Sequence, residues 1–155
     1  VPNGVLVGDS CLISNEADFY DLGMLQSEMH MAWVRAVCGR LKSDYRYSKD
    51  IAYNNFPWPD LVSKSQRKEV EMSAQKIIEI RTQFPKATLA DLYDPNTMPK
   101  ILLDAHRALD RAVDRCYTSK RFISENARLT FLFNLYQQYL DKEVVSKIVK
   151  KKNAS

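Results

Sequence analysis

Glycine is scarce in this 155-residue sequence, which contains only four glycines. None of the four forms a Gly-x-Gly arrangement, whereas a nucleotide-type cofactor usually sits on a glycine-rich turn between a strand and a helix. The sequence therefore predicts no cofactor cradle of that kind. All four glycines precede residue 61, and residues 61–149 have the pattern of helices almost throughout.

Cysteine is also sparse, because Cys11, Cys38 and Cys116 lie far apart and form no Cys-x-x-Cys pair. That spacing argues against a zinc site and predicts reduced, buried thiols in a cytoplasmic protein. No apolar run approaches the ~18 residues of a membrane-spanning helix, so no membrane partner is expected. Because the sequence opens at Val1 on a segment typical of a folded interior, we expect a piece of a longer polypeptide.

Arrangements of residues typical of catalytic sites are missing from the sequence as well. His30 and His106 fall within predicted helices without a metal-ligand or triad partner at a recognisable spacing, which predicts structural roles for both. The tetrapeptide NFPW at residues 55–58 is like an altered copy of the Asn-Pro-Pro-aromatic motif with which amino-methyltransferases hold a flipped base, but Phe56 replaces the first proline. We therefore predict no catalytic, metal-binding or cofactor-binding residues in the chain.

Apolar periodicity predicts an α-rich α+β fold, with a short β element and one long helix followed by a bundle of three or four helices. Two short strands are expected within residues 4–14, a single long helix over 22–37, and a strand over 45–53. Helix starts are indicated by capping patterns at Ser14 or Asn15, Ser63 with Gln66, Thr88 with Asp91, Thr97, and Ser124.

Positive charge concentrates around the end of the first long helix and the segment that follows it. The net charge is only +4, but five cations fall close together and three tyrosines interleave with them. Asp44 is the acidic residue among these cations. Such a pattern fits a surface that binds nucleic acid, and it fits a solvated loop with a salt bridge equally well. The cations are Arg35, Arg40, Lys42, Arg46 and Lys49, and the tyrosines are Tyr45, Tyr47 and Tyr53.

Two long strings identify a resemblance. The sequence resembles the C-terminal end of MmeI-like type II restriction–modification enzymes over roughly residues 17–140, through FYDLGMLQSEMHMAWVRAVCGRLKSDYRYSKDIAYNNFPWP and LADLYDPNTMPKILLDAHRALDRAVDRCY. The resemblance implies that residues 1–57 end a DNA target recognition domain, that 58–146 form a helical C-terminal domain, and that 147–155 are a disordered basic tail. The prolines of NFPWP then mark the exit from the recognition domain.

The resemblance also implies roles for particular residues. The segment GRLKSDYRYS is similar to a family segment implicated in base choice, so Lys42 and Asp44 are the candidates for direct readout of DNA bases. The candidates for holding the DNA backbone or supporting the loop are Arg35, Arg40, Arg46, Tyr47, Ser48 and Lys49.

The function that the resemblance implies is DNA recognition and scaffolding, without catalysis, in a bacterial adenine methyltransferase that is also an endonuclease. The partners would be double-stranded DNA and the methyltransferase and nuclease domains of the same polypeptide, which would use S-adenosylmethionine and a divalent metal. Balanced charges along residues 107–115, which are expected on the outer face of a helix, favour bracing over DNA clamping. The alternative is a helical protein-interaction module with no direct DNA contact.

Overall fold

The computed structural model of the chain describes residues 16–42 and 44–153, with side chains described through Val144. The described part is mostly helical and has one short pair of strands, so the predicted α-rich fold is confirmed. None of the described helices has the length and apolar character that a membrane crossing needs. The elements are α1 (Phe19–Gln26), α2 (Glu28–Val37), β1 (Arg40–Leu41), β2 (Asp44–Tyr45), a π-helix (Lys49–Tyr53), α3 (Lys64–Thr82), α4 (Leu89–Leu92), α5 (Lys100–Tyr117) and α6 (Glu125–Asn153).

The described residues divide into two compact units, each built from two separate segments of sequence. The first unit holds α1, α3, α4 and α5, and the second holds α2, the two strands, the π-helix and α6. Each unit therefore takes residues from both sides of Asp60. The domain boundaries expected from the sequence stay predictions, and the backbone of α6 continues to Asn153, past the boundary expected at residue 147.

In the first unit, α3 packs against both α5 and α1. Helices α3 and α5 bury apolar side chains at helical spacing, and full burial of each valine, leucine or isoleucine among them stabilises the folded state by about 1.5–3 kcal/mol. The capping boxes that begin α3 at Ser63 and α4 at Thr88 are also confirmed. The buried residues of the two faces include Val70, Ala74, Ile77, Leu102, Leu109, Val113 and Cys116.

The predicted long helix over residues 22–37 is wrong, because the chain forms two helices that are separated at Ser27. Ser27 has an extended backbone (ψ 157°), and its hydroxyl donates a hydrogen bond of 2.7 Å to the Met24 carbonyl. A serine that satisfies a carbonyl of the last turn competes with continuation of the helix. The apolar spacing persists across the break, which explains why the pattern predicted one helix. Asp18 caps α1, whereas Ser14, Asn15 and the strands expected within residues 4–14 lie outside the described residues.

Three further local predictions are corrected. The strand expected over residues 45–53 is limited to Asp44–Tyr45, because the Ser48 side chain caps a π-helix at the Ile51 amide. Helix α5 begins after Pro99 rather than at Thr97, whose hydroxyl donates to the Asp91 carbonyl at 3.1 Å. Asp114 was expected on the exposed charged face of α5 and is buried.

Gly23 lies where α1 packs closely against α3 and α5. A methyl group at this position would lie 2.7 Å from Val70 Cγ1 and 3.2 Å from Leu109 Cδ1, which is too close for either contact to be accommodated without movement. Both neighbours are fully buried, so they have little room to shift. Glycine is therefore required here for packing between helices.

We expect Gly23→Ala to lower the free energy of unfolding by about 1 kcal/mol, measured by chemical denaturation. Overpacking of a core costs about 1–3 kcal/mol and outweighs the ~1 kcal/mol that alanine gains in helix propensity. Adding Val70→Ala should make Gly23→Ala less unfavourable, since it removes the clashing methyl group. Gly39→Ala is the matched control, because its new Cβ would meet nothing within 4 Å. A stabilising effect of Gly23→Ala would contradict this packing.

Candidate nucleic-acid interface

The predicted readout residues lie on a small β-hairpin in the second unit. Strands β1 and β2 are antiparallel, with Arg40 opposite Tyr45 and Leu41 opposite Asp44. The hairpin closes at its base through a hydrogen bond of 2.8 Å from the Arg46 amide to the Gly39 carbonyl. This register places Lys42 in the turn that joins the strands.

Lys42 has a left-handed backbone, with φ of 58°. A non-glycine residue in this region costs roughly 1–2 kcal/mol, and tight hairpin turns normally place glycine, asparagine or aspartate there. Lysine therefore occupies a position whose backbone conformation is unfavourable for it. Strain of this kind concentrates at functional sites, which makes Lys42 a candidate for function on structural grounds as well.

The charges of the hairpin tip are available to a partner. Lys42 and Asp44 are both exposed, and neither forms a salt bridge or a side-chain hydrogen bond within the described part of the chain. Leu41, which precedes Lys42 and lies opposite Asp44, is 68% exposed. Arg46 and Lys49 are also exposed on the segment that follows. The hairpin thus exposes a lysine and a carboxylate two residues apart in a segment that carries several other cations.

Arg40 is held in place by its cross-strand partner. Its guanidinium donates a hydrogen bond of 2.7 Å to the Tyr45 hydroxyl, and the guanidinium carbon lies 4.6 Å from the centre of the Tyr45 ring. The remaining N–H groups of the guanidinium can still donate to a phosphate, since arginine carries five such donors. The pair therefore fixes the direction of the arginine while leaving it able to bind.

Arg35 has a different environment from the hairpin cations. Its guanidinium forms ion pairs with Glu28 at 3.0 Å and with Glu125 at 2.8 Å. Two carboxylates around one guanidinium leave a net negative charge, so this position attracts a phosphate poorly. Arg35 instead links α2 to the first turn of α6 within the second unit. Of the two roles predicted for it, support fits these contacts better than DNA binding.

Tyr47 connects the hairpin to the interior of the unit. Its hydroxyl lies 3.0 Å from His30 Nε2, and His30 meets the Phe56 ring edge-on with centroids 4.6 Å apart. Burial lowers the pKa of His30 to about 4, so the imidazole is neutral near pH 7. The contacts fit the structural role predicted for His30. Its partner in that role is Tyr47, which the sequence did not reveal.

A buried aromatic cluster joins α2 to the π-helix and to α6. Trp33 on α2 is buried, and its indole N–H donates to the Ala52 carbonyl of the π-helix at 3.2 Å. Its ring also contacts Phe133 and Tyr136 of α6, with centroids 5.4 and 5.6 Å apart. Such aromatic pairs each add about 0.5–1.5 kcal/mol beyond the area that they bury. The recognition segment and the C-terminal helix therefore share one core.

The NFPWP segment forms part of this support. Phe56 and Pro57 are buried, and the Asn55 side-chain amide donates to the Asp50 carbonyl at 2.6 Å. Trp58 is half-buried and contacts Phe56 edge-on at 5.3 Å. A motif that holds a flipped base needs free polar groups facing a pocket. The segment is instead packed into the unit, in agreement with its predicted role as an anchored exit.

Sequence reasoning missed the residues that support the hairpin. His30 and Trp33 lie on the buried face of α2, and that spacing is visible in the sequence. Trp33 contacts Phe133 and Tyr136, and His30 contacts Tyr47 and Phe56. These partners lie 17 or more residues away, so no local pattern links them. No cluster of three or more histidine, cysteine or acidic side chains suited to a metal ion occurs within the described residues. In the first unit, His106 Nε2 lies 2.8 Å from the Tyr93 hydroxyl.

Comparisons with known proteins agree with this arrangement. A family model described as the MmeI target recognition domain matches residues 1–60, and one described as the MmeI C-terminal domain matches residues 62–144. The chain is 44% identical over 148 residues to DNA methyltransferase A of Bacillus subtilis strain 168. The aligned region covers 92% of this chain and 16% of that protein. A solved structure of the Type IIL restriction–modification enzyme MmeI in complex with DNA matches with a TM-score of 0.77 and 45% identity.

The matched regions define the class of protein to which the chain belongs. The chain combines the end of a target recognition domain with a helical C-terminal domain, in the order that the family models give. It belongs to the MmeI family. The structural match covers 81% of this chain and 17% of the MmeI chain, so the chain spans about a sixth of the length of these relatives.

Substitutions at Lys42 test the left-handed turn. Asparagine tolerates this conformation better than lysine, whereas a β-branched side chain is strongly disfavoured there. We expect Lys42→Asn to preserve or increase hydrogen-exchange protection of the Arg46 amide, and Lys42→Val to reduce it about tenfold, corresponding to about 1.4 kcal/mol. Equal protection in both variants would show that the turn does not depend on the conformation at residue 42.

The lowered pKa of His30 predicts a specific dependence of stability on pH. Its pKa of about 4 lies below the ordinary 6.5, so the unfolded chain binds more protons between these values. The stabilising contribution is complete above about pH 6.5 and is lost as the pH falls towards 4. Denaturant unfolding should lose about 1–2 kcal/mol from this group between pH 7 and pH 5.

His30→Gln should flatten that part of the profile, because glutamine does not titrate. His106→Gln, which changes the second histidine of the chain, is the control and should retain the contribution of His30. If His30→Gln and the unsubstituted chain lose stability in parallel over this range, the burial of a neutral His30 is contradicted.

Proposed function

We propose that this chain recognises and helps to position double-stranded DNA within a larger MmeI-type enzyme that methylates adenine and cleaves DNA. Support comes from the match of residues 1–60 to a target recognition domain and from a relative named as a DNA methyltransferase. Further support comes from the likeness to MmeI, whose structure was solved with DNA. Because the chain spans about a sixth of these relatives, methylation and cleavage belong to the remainder of such a polypeptide.

The observation that carries this proposal is the exposed, unpaired Lys42 and Asp44 on the hairpin. A two-stranded β-ribbon fits the major groove of B-DNA, where the base edges differ for each base pair. The Lys42 ammonium can donate to guanine O6 and N7, and the Asp44 carboxylate can accept from the cytosine amino group. Since Asp44 would be repelled by phosphates, its presence among cations fits contact with a base better than contact with the DNA backbone.

The neighbouring cations supply contacts that do not depend on the base. Arg46 and Lys49 are exposed, and Arg40 is oriented by Tyr45 with donors remaining. Phosphate contacts of this kind fix the register of a protein on the duplex, and they weaken as the salt concentration rises. We assign Arg40, Arg46 and Lys49 to the phosphates on either side of the base pair that the hairpin reads.

The other candidate residues act within the protein. Arg35 joins α2 to α6, Tyr47 joins the hairpin to His30, and Ser48 caps the π-helix through the Ile51 amide. These contacts give the loop-support role a physical basis. The scaffolding part of the proposal rests on them, because base readout requires a loop whose position is fixed.

The cofactors implied by the family do not fit the described residues. Gly23 is packed between helices and the Gly39 carbonyl closes the hairpin, so neither can form a phosphate or nucleotide cradle. No metal-type cluster of histidine, cysteine or acidic side chains occurs in the described ranges either. The proposal assigns S-adenosylmethionine and the divalent metal to the methyltransferase and nuclease domains of the polypeptide, and we derive no chemical step here.

Exchange of the two tip charges tests base readout. In the full-length protein, Lys42→Glu with Asp44→Arg should change the methylated sequence at one base pair of the target. Each good side-chain contact to a base discriminates by about 1–3 kcal/mol, so preference at that pair should change roughly 10- to 100-fold. The measurement is a map of methylated sites across a genome or a random library.

The matched control exchanges another exposed pair of opposite charges without changing the net charge. Asp104→Arg with Arg107→Glu on α5 does so, since these residues form an exposed ion pair at 3.7 Å, and specificity should remain the same. Unaltered specificity after the exchange of residues 42 and 44, with normal methylation, would refute base readout by the hairpin. That result would favour a helical interaction module in which the hairpin is a plain surface loop.

A further inference from the structure

Tyr139 of α6 anchors the exit of the recognition segment. Its hydroxyl donates a hydrogen bond to the Trp58 carbonyl oxygen. One turn later, Lys142 Nζ lies 3.4 Å from an oxygen of Asp60. Residues 58–60 are therefore attached to a helix that is remote in sequence.

From this anchor, ring contacts lead to the base of the hairpin. Trp58 meets Phe56 with centroids 5.3 Å apart, and Phe56 meets His30 at 4.6 Å. His30 Nε2 then lies 3.0 Å from the hydroxyl of Tyr47, which follows the second strand by two residues. All of these contacts lie within the second unit. The position of Tyr47 thus depends on side chains whose own positions depend on Trp58.

The hairpin itself is too small to fix its own position. Two strands of two residues each give few ladder hydrogen bonds, and an isolated hairpin is at best marginally stable in water. Readout by hydrogen bonds needs the donor and acceptor within roughly 0.5 Å of their productive positions. The position of the hairpin must therefore be fixed by contacts with the rest of the unit.

We propose that Tyr139 is a positioning residue for base recognition, which acts through Trp58 and the aromatic cluster without touching DNA. This inference rests on the hairpin reading bases, as proposed above. Loss of the Tyr139 hydroxyl removes the hydrogen bond to the Trp58 carbonyl and lets the edge-on rings of Trp58, Phe56 and His30 shift. The hairpin then samples positions in which the wrong base pair is accepted. The expected defect is a loss of discrimination at the base pair that the hairpin reads.

The test is Tyr139→Phe in the full-length protein, since phenylalanine keeps the ring and removes only the hydroxyl. Methylation rates are measured on the target and on sites changed at single base pairs. Discrimination at the pair read by the hairpin should fall about two- to tenfold, which is the effect of one ordinary hydrogen bond. Discrimination at the other pairs and the rate on the target should stay nearly constant.

Tyr93→Phe is the matched control, because Tyr93 also hydrogen-bonds through its hydroxyl but belongs to the first unit. It should leave discrimination unchanged. If Tyr139→Phe does not fold, Asp60→Asn weakens the same anchor and should produce the same selective loss. Unchanged discrimination, or an equal loss at every base pair, would overturn the positioning role.

The exchange of residues 42 and 44 is measured in parallel to separate the two proposals. If the exchange changes specificity and Tyr139→Phe does not, only the positioning role fails. If neither changes it, readout by the hairpin fails and the positioning role fails with it.

Discussion

The contact between His30 and the Tyr47 hydroxyl connects an exposed hairpin to a buried core. Two strands of two residues cannot hold an orientation in water by themselves. The imidazole remains neutral because burial disfavours its charged form, and it can therefore lie edge-on to Phe56 inside an aromatic cluster. Removing this connection would leave the charges at the tip exposed as before, but attached to a mobile loop. The proposed recognition function requires both the charges and their support.

The hairpin combines properties that folding stability disfavours. Lys42 has a left-handed backbone, and Lys42 and Asp44 gain nothing from ion pairs within the described residues. By contrast, Arg35 has two carboxylate partners and Arg40 has an aromatic one. Charges that contribute to the protein's own structure are thus paired, whereas those at the tip are left for a partner. This division is the physical reason for treating a small part of a large cationic segment as the reading element.

The sequence predicted features that depend on local chemistry and missed those that depend on distant partners. The capping boxes at Ser63 and Thr88 follow from spacing within one helix, and the structure confirms them. The break at Ser27 and the π-helix after Ser48 were missed, because a serine side chain that bonds to nearby backbone leaves the apolar pattern unchanged. The readout candidates came from a family resemblance. The contacts of Trp33 with Phe133 and of Tyr139 with Trp58 appear only once α2 and α6 are seen in one unit.

A structure of the full-length protein on its target duplex would show whether the hairpin reads bases. We expect the hairpin to enter the major groove with its backbone unchanged. Lys42 Nζ and the Asp44 carboxylate should then lie at hydrogen-bond distance, about 2.7–3.2 Å, from base edges. Tyr47 should remain on His30 in that complex. A hairpin that faces solvent, or one that touches only phosphates while other residues contact the bases, would contradict base readout by the hairpin.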